Sequence, residues 1–150
     1  MLLKPLERLM LVMGGVMPAT GNFSNLKLIR EANEAFAFNP EEEARLAFTT
    51  PEGGGIRWAD KVLVYSETGD LIRPLMTKDD LEAAEAEVAA GPEPMAIEDA
   101  CPVKEIEIED VIFKLIVKSL KKLDKEEKLT ADHYSLCEKF FEEDAEKITH

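Results

Sequence analysis

The chain reads as an α+β protein: a small antiparallel sheet packed on a helical core, with a C-terminal αα-hairpin. Three observations predict this. Two apolar stripes at helical spacing follow one another in the C-terminal third, separated only by Lys128-Leu129. Residues 51–76 abandon the helical period for short β-branched and aromatic runs punctuated by turn residues. Lys104-Glu-Ile106-Glu-Ile108 alternates charged and apolar side chains, the pattern of a half-buried strand. The expected sheet joins residues 55–73 to residues 103–108.

Taken in order, residues 5–13 predict a short helix, with a buried strand as the alternative for the same run. Pro5 suits a first turn, Leu6, Leu9, Met10 and Met13 share a face, and Gly14 ends it. After the turn cluster from Pro18 to Gly21, Asn22 is placed to cap a helix from about 23 to 37. Phe23, Leu26, Ile29 and Phe36 recur there at helical spacing. Asn39-Pro40-Glu41-Glu42 is a second helix start, with acids where the helix dipole favours them. That helix ends near Ala47.

Ile56-Arg57-Trp58 and Lys61–Tyr65 predict strands. Glu67–Asp70 is a turn, and Leu71-Ile72 a return strand that Pro74 confines to a sheet edge. Thr77 caps an alanine-rich helix whose apolar stripe is only Leu81, Ala84 and Val88, and Gly91-Pro92 stops it. Residues 91–102 carry three prolines and no stripe, so they read as a loop or linker. Asp110 is expected to cap the best helix, about 111–127, with Ile112, Leu115, Ile116, Leu120 and Leu123 on its inner face. Thr130 is expected to cap the last helix, about 131–147. Its stripe reads Tyr134, Cys137, Phe141 and Ile148, widened by Leu136 and Phe140. His150 is expected at a frayed end.

A chain of 150 residues, 45% hydrophobic and 33% charged, fits a single domain over 1–150. The charge is unevenly placed. Residues 79–110 hold twelve carboxylates and only Lys104 against them, so nearly all of the net charge of −13 lies there. A field this local marks where a basic protein surface would dock. The candidate contact residues are Asp79, Asp80, Glu82, Glu87 and Glu98, with the single tryptophan, Trp58, as an aromatic anchor. The same charge excludes direct binding of duplex nucleic acid, which depends on cations neutralising phosphates. The apolar run Leu9–Met13 falls far short of the roughly 20 residues of a membrane span and lacks a basic leader, so no membrane partner is expected. Cytoplasmic residence is expected, and Cys101 and Cys137 match no disulfide framework or zinc spacing.

No catalytic constellation emerges, and no cofactor or metal site is expected. His133 reads as a partly exposed structural histidine. Cys137 follows it at i+4, which could form a thiolate–imidazolium pair, but the apolar stripe favours a core cysteine. Met13-Gly14-Gly15 and Gly53–Gly55 lack the features of a phosphate loop. The acids at 79–87 and 105–109 lack calcium-loop spacing.

Two blocks carry a likeness. Met17-Pro18-Ala-Thr-Gly21-Asn22-Phe23-Ser-Asn-Leu26-Lys27-Leu-Ile29-Arg30 runs on to Pro40–Glu43, and Lys128-Leu129-Thr130-Ala-Asp-His133-Tyr-Ser135-Leu136-Cys-Glu138-Lys139-Phe140 opens the last helix. Together they resemble small uncharacterised proteins encoded by tailed phages and prophages. The resemblance implies a phage context and host cytoplasm, makes residues 60–102 an acidic elaboration inserted between Ile56-Arg57-Trp58 and Lys104–Ile108, and carries over no catalytic residue. The expected function is a non-enzymatic protein-interaction module acting on a host protein through the acidic surface, a host nucleic-acid enzyme being an apt target because its groove is basic. A phage assembly or structural component, with acids serving solubility, is the alternative.

Overall fold

The computed structural model describes residues 1–149. His150 and the side chain of Ile148, both given expectations above, lie outside the described residues. The elements run β1 Leu2–Leu3, α1 Pro5–Met13, α2 Phe23–Phe36, α3 Pro40–Leu46, β2 Lys61–Tyr65, β3 Leu71–Leu75, α4 Lys78–Ala90, β4 Met95–Asp99, β5 Lys104–Glu105, α5 Asp110–Lys125 and α6 Tyr134–Thr149. A 3-10 turn, Ala131–His133, leads into α6. The fold is α+β, with two small antiparallel sheets and a C-terminal helix pair.

The chain divides into two compact units. One comprises the described residues of Met1–Ala37 and Val103–His150, the other Phe38–Pro102. The 38–102 unit is therefore larger than the elaboration expected over 60–102.

The first unit is helical. Leu3, Leu11, Ile29, Phe36, Ile112, Ile116, Leu120, Leu136 and Phe140 form its buried centre. α5 and α6 meet through Phe113 and Phe140, ring centroids 5.3 Å apart. Lys147 joins the end of α6 to the start of α5, accepted by Asp110 at 3.1 Å and lying 3.7 Å over the Phe113 ring. Leu120 and Phe140 are fully buried as expected, whereas Leu115, Leu123 and Phe141 are half-buried. On α6 the expected stripe is rotated. Tyr134 is exposed, and the buried row is His133, Leu136, Cys137 and Phe140.

A similar rotation affects α1. Its buried positions are Glu7, Arg8 and Leu11, while Met13 is exposed and Leu6, Leu9 and Met10 are half-buried. Apolar periodicity could not locate this face, because two of its three positions are charged. Both charges are hydrogen-bonded, as burial requires. Glu7 Oε1 accepts from the Lys4 backbone N–H at 2.8 Å and from Lys139 Nζ at 2.6 Å. Arg8 donates from Nε to the Phe36 carbonyl at 3.1 Å and from Nη2 to the Ala37 carbonyl at 2.6 Å. A cation thus meets the negative end of the α2 dipole and satisfies carbonyls the helix leaves open. The expected face of α2 is correct from Ile29 to Phe36, but its first turn is exposed, Phe23 most of all.

The strand expected over Lys104–Ile108 is only two residues long. It pairs with β1, Leu2 opposite Glu105 and Leu3 opposite Lys104, rather than joining the sheet of the second unit. Ile106 is buried below it. The helix that follows starts one residue early, with Glu109 at the capping position instead of Asp110, and without a side-chain cap.

The second unit is a three-stranded sheet ordered β3-β2-β4, all antiparallel. The β2–β3 hairpin is the one expected. Gly69, at φ 75°, supplies the left-handed turn residue, and its N–H donates to the Tyr65 carbonyl at 2.7 Å. Pro74 sits on the edge strand β3. The third strand was not anticipated. Residues 91–102, expected as a loop or linker, hold β4, which pairs along the whole of β2 from Lys61↔Asp99 to Tyr65↔Met95. Only three apolar residues in Met95-Ala96-Ile97 precede two acids, too short a pattern to register beside three prolines. Ile56–Trp58 is likewise no strand; Arg57 makes a single bridge with Thr49.

β2 is covered on both sides. Val62 and Val64 face Leu46 of α3 together with Phe38, Phe48 and Trp58, whereas Leu63 faces Ala84, Leu81 and Val88 of α4. Strand side chains alternate between faces, so α3 with Trp58 and α4 lie on opposite faces of the sheet.

Two outcomes follow from this packing. Leu120→Ala should lower unfolding free energy by about 2–5 kcal/mol, the range for a fully buried leucine, and Leu115→Ala by less, read from urea denaturation. Arg8→Met should cost about 1–3 kcal/mol, as leaving buried carbonyls without their donor does, despite its similar volume. A loss under about 0.5 kcal/mol, the level of a surface change, would mean that Arg8 is not the clamp on α2.

Candidate functional site

The acidic candidates fall on two elements of the second unit. α4 begins with a reciprocal cap: Thr77 Oγ1 accepts the Asp80 N–H, and Asp80 Oδ2 accepts the Thr77 N–H, both at 3.1 Å. Its inner face is Ala84, flanked by half-buried Leu81 and Val88. Gly91 ends it, where a Cβ would lie 2.6 Å from the Glu87 carbonyl.

Asp79, Asp80, Glu82, Glu87 and Glu98 are all exposed. They are not equivalent. Asp80 is committed to the helix cap. Glu87 pairs with Arg73 of β3 at 2.7 Å. Glu98, on β4, pairs with Arg45 of α3 at 2.9 Å, and Arg45 also donates to the Ala100 and Asp99 carbonyls. These three are engaged within the unit, so reversing them would remove contacts of its own. Asp79 and Glu82 differ: neither meets a cation within 4 Å among the described residues. Glu85, one turn beyond Glu82, shares their situation and their side of the helix, at i, i+3 and i+6.

Trp58 does not join this surface. It is half-buried on the opposite face of the sheet, its ring edge-to-face with Phe48 at 6.1 Å, and Phe48 in turn lies 5.1 Å from Phe38. Instead it packs with the small aromatic cluster over Val62 and Val64. The structure therefore separates the candidates into an α4 group and a group with Trp58 and Glu98. What sequence reasoning missed was Arg45 and Arg73, whose partners lie far away in sequence.

The other candidates resolve into structure. His133 is buried at 5% exposure, not partly exposed. The Thr130 N–H can only donate, so Nδ1 at 3.0 Å accepts, and Nε2–H donates to the Gly14 carbonyl at 3.2 Å. Both ring nitrogens are occupied, which leaves none to activate a thiol. Cys137 is buried one turn away, and desolvation, reinforced by the Asp124 charge, pushes its pKa up, away from the thiolate. The His133–Cys137 spacing is a core feature. Cys101 places Sγ 3.3 Å from Glu42 Oε2. Among the described residues no group of three His, Cys, Asp or Glu is placed to hold a metal ion, and no helix is long and apolar enough to cross a membrane.

Trp58 provides a direct readout of this arrangement. Its emission should be blue-shifted in the native protein and move to the red on unfolding. Phe48→Ala, removing a ring contact worth about 0.5–1.5 kcal/mol, should shift native emission part of that way. Comparison with known proteins gives no match to a family model, to a curated protein or to a solved structure.

Proposed function

We propose that the chain is a non-enzymatic protein-interaction module, phage-encoded and acting in the host cytoplasm, that docks a basic protein surface on the outer face of α4. The observation that carries this is the row Asp79, Glu82 and Glu85. Like charges three apart on a helix repel, at a cost of about 0.2–0.5 kcal/mol per pair. Glu85 lies in the C-terminal half of α4, where the dipole disfavours an acid, and the last turn holds no base. The other two acids of α4, Asp80 and Glu87, are tied into a cap and an ion pair, so the unpaired row stands apart from the unit's own stabilisation. A basic partner would relieve the repulsion.

The resemblance of the blocks at 17–43 and 128–140 to proteins of tailed phages supports the phage context. A basic groove of a host nucleic-acid enzyme is a fitting target, since the acidic row mimics the charge of a phosphate backbone. The alternative is an assembly component whose acids serve solubility.

Pull-down from host lysate with the full chain tests the proposal. A single basic partner should be retained and should dissociate as salt rises, because screening shortens the field to about 8 Å at physiological ionic strength. Lysine at positions 79, 82 and 85 should weaken retention at least about tenfold, roughly 1.4 kcal/mol, with the melting curve unchanged. Reversals at Glu34 and Glu41, on other helices, should have little effect. A partner indifferent to salt and to the α4 reversals would remove the proposal. Copurification with phage particles, with loss of solubility as the sole effect of reversal, would establish the alternative.

A further inference from the structure

A second acidic feature lies in the first unit and has a different character. A groove of about 100 Å³ runs between α2 and the segment entering α5. Its floor is apolar: Phe36 and Ile112 are buried there, with Ala32 and Ile108 half-buried beside them. Three carboxylates, Glu31, Glu107 and Glu109, stand on the same groove, and all are exposed. Among the described residues none of the three has a cation within 4 Å; the ion pair of α2 is Arg30 with Glu34. Glu109 occupies the capping position of α5 yet makes no side-chain cap, so its carboxylate is not engaged by its own helix.

We infer that this groove receives one arginine side chain from a basic peptide segment of the partner, its stem on the apolar floor and its guanidinium among Glu31, Glu107 and Glu109. The size decides against a small-molecule ligand, whose pockets run about 300–1,000 Å³. It suits a single long side chain, which buries a methylene stem while its charged head stays at the rim. The charge decides the sign of the head group, because three unpaired carboxylates line one apolar slot. Arginine fits better than lysine, since its planar fork engages two carboxylates at once where an ammonium acts as a point charge. Glu107 and Glu109 both line the groove and are both exposed, so two carboxylates are open to such a fork. The inference rests on the reading of the chain as a binder of basic proteins, and assigns to that partner a contact separate from α4.

The test is a titration of the isotopically labelled full chain with the capped tripeptide Gly-Arg-Gly, followed by NMR. Resonances of Ala32, Ala35, Ile108 and Ile112 should move, and those of α4 should not. The citrulline tripeptide, isosteric but neutral, should bind about tenfold more weakly, the loss of a charge-assisted hydrogen bond. Glu31→Gln with Glu107→Gln and Glu109→Gln should give a similar loss with the groove's shape retained. Ala35→Phe, placed at the exposed mouth, should block the slot with the charges retained. Equal binding of arginine and citrulline, or wild-type affinity in the triple glutamine variant, would overturn the inference. So would arginine shifts confined to α4 and abolished by the 79, 82 and 85 reversals, which would leave the proposed function standing. The failure of that reading looks different: no salt-sensitive host partner, with the groove titration unchanged.

Discussion

The helical unit depends on two charges placed where no water reaches them. Taking an ion out of water costs several kcal/mol, and the cost is offset only by good partners. Glu7 has the Lys4 amide and the Lys139 ammonium; Arg8 has the carbonyls that end α2. Lys139 also donates to the Leu2 carbonyl at 2.6 Å, so one lysine of α6 links β1 and α1. The requirement is geometric. A shift of α1 by one turn would strand both charges, whereas Leu11 alone could repack. Glu7 Oε2, buried without a hydrogen-bond partner, retains part of the desolvation cost. Packing of apolar stripes makes the unit compact; the Glu7–Arg8 pair fixes which way its first helix faces.

The sheet unit solves a different problem. Its central strand has three consecutive buried residues, Val62, Leu63 and Val64, so it needs cover on both faces. α3 with the Phe38–Phe48–Trp58 cluster supplies one cover, and α4 the other. α4 offers only alanine, leucine and valine inward, and its ends are secured by a cap and by the Arg73–Glu87 pair. A helix fixed so lightly to its sheet can carry an outer face chosen for other reasons, and the acids at 79, 82 and 85 occupy that face.

Much of this architecture was legible in the sequence. Asn22, Asn39 and Thr77 each accept the amide expected of a cap, at 2.8, 2.8 and 3.1 Å. The hairpin at Glu67–Asp70 and the edge position of Pro74 follow from local chemistry, and so do α1 to α6 to within a few residues. What stayed hidden was non-local. β4 is recognisable only by its pairing with β2, and β5 was assigned to the wrong sheet because strand patterns do not name their partner. The faces of α1 and α6 were misread where polar side chains are buried, as Glu7, Arg8 and His133 are. For the candidate site, the excess of acid was plain, but the division between structural and unpaired carboxylates was not. It depends on Arg45 and Arg73, which reach 53 and 14 residues along the chain.

The placement of the 38–102 unit inside the sequence of the other has a consequence for the order of events during synthesis. The strand pairings that build it, from the Thr49–Arg57 bridge to the β2–β4 ladder, lie within one continuous stretch, so it can fold as soon as Pro102 has left the ribosome. The helical unit cannot. Its first strand waits for Lys104 and Glu105, and Glu7 waits for Lys139. Until then α1 and α2 present half of an apolar core to the cell, together with a carboxylate whose lysine has not yet been made. An early-folding acidic unit tethered to that nascent segment supplies charge during the interval in which the chain is most prone to associate with others.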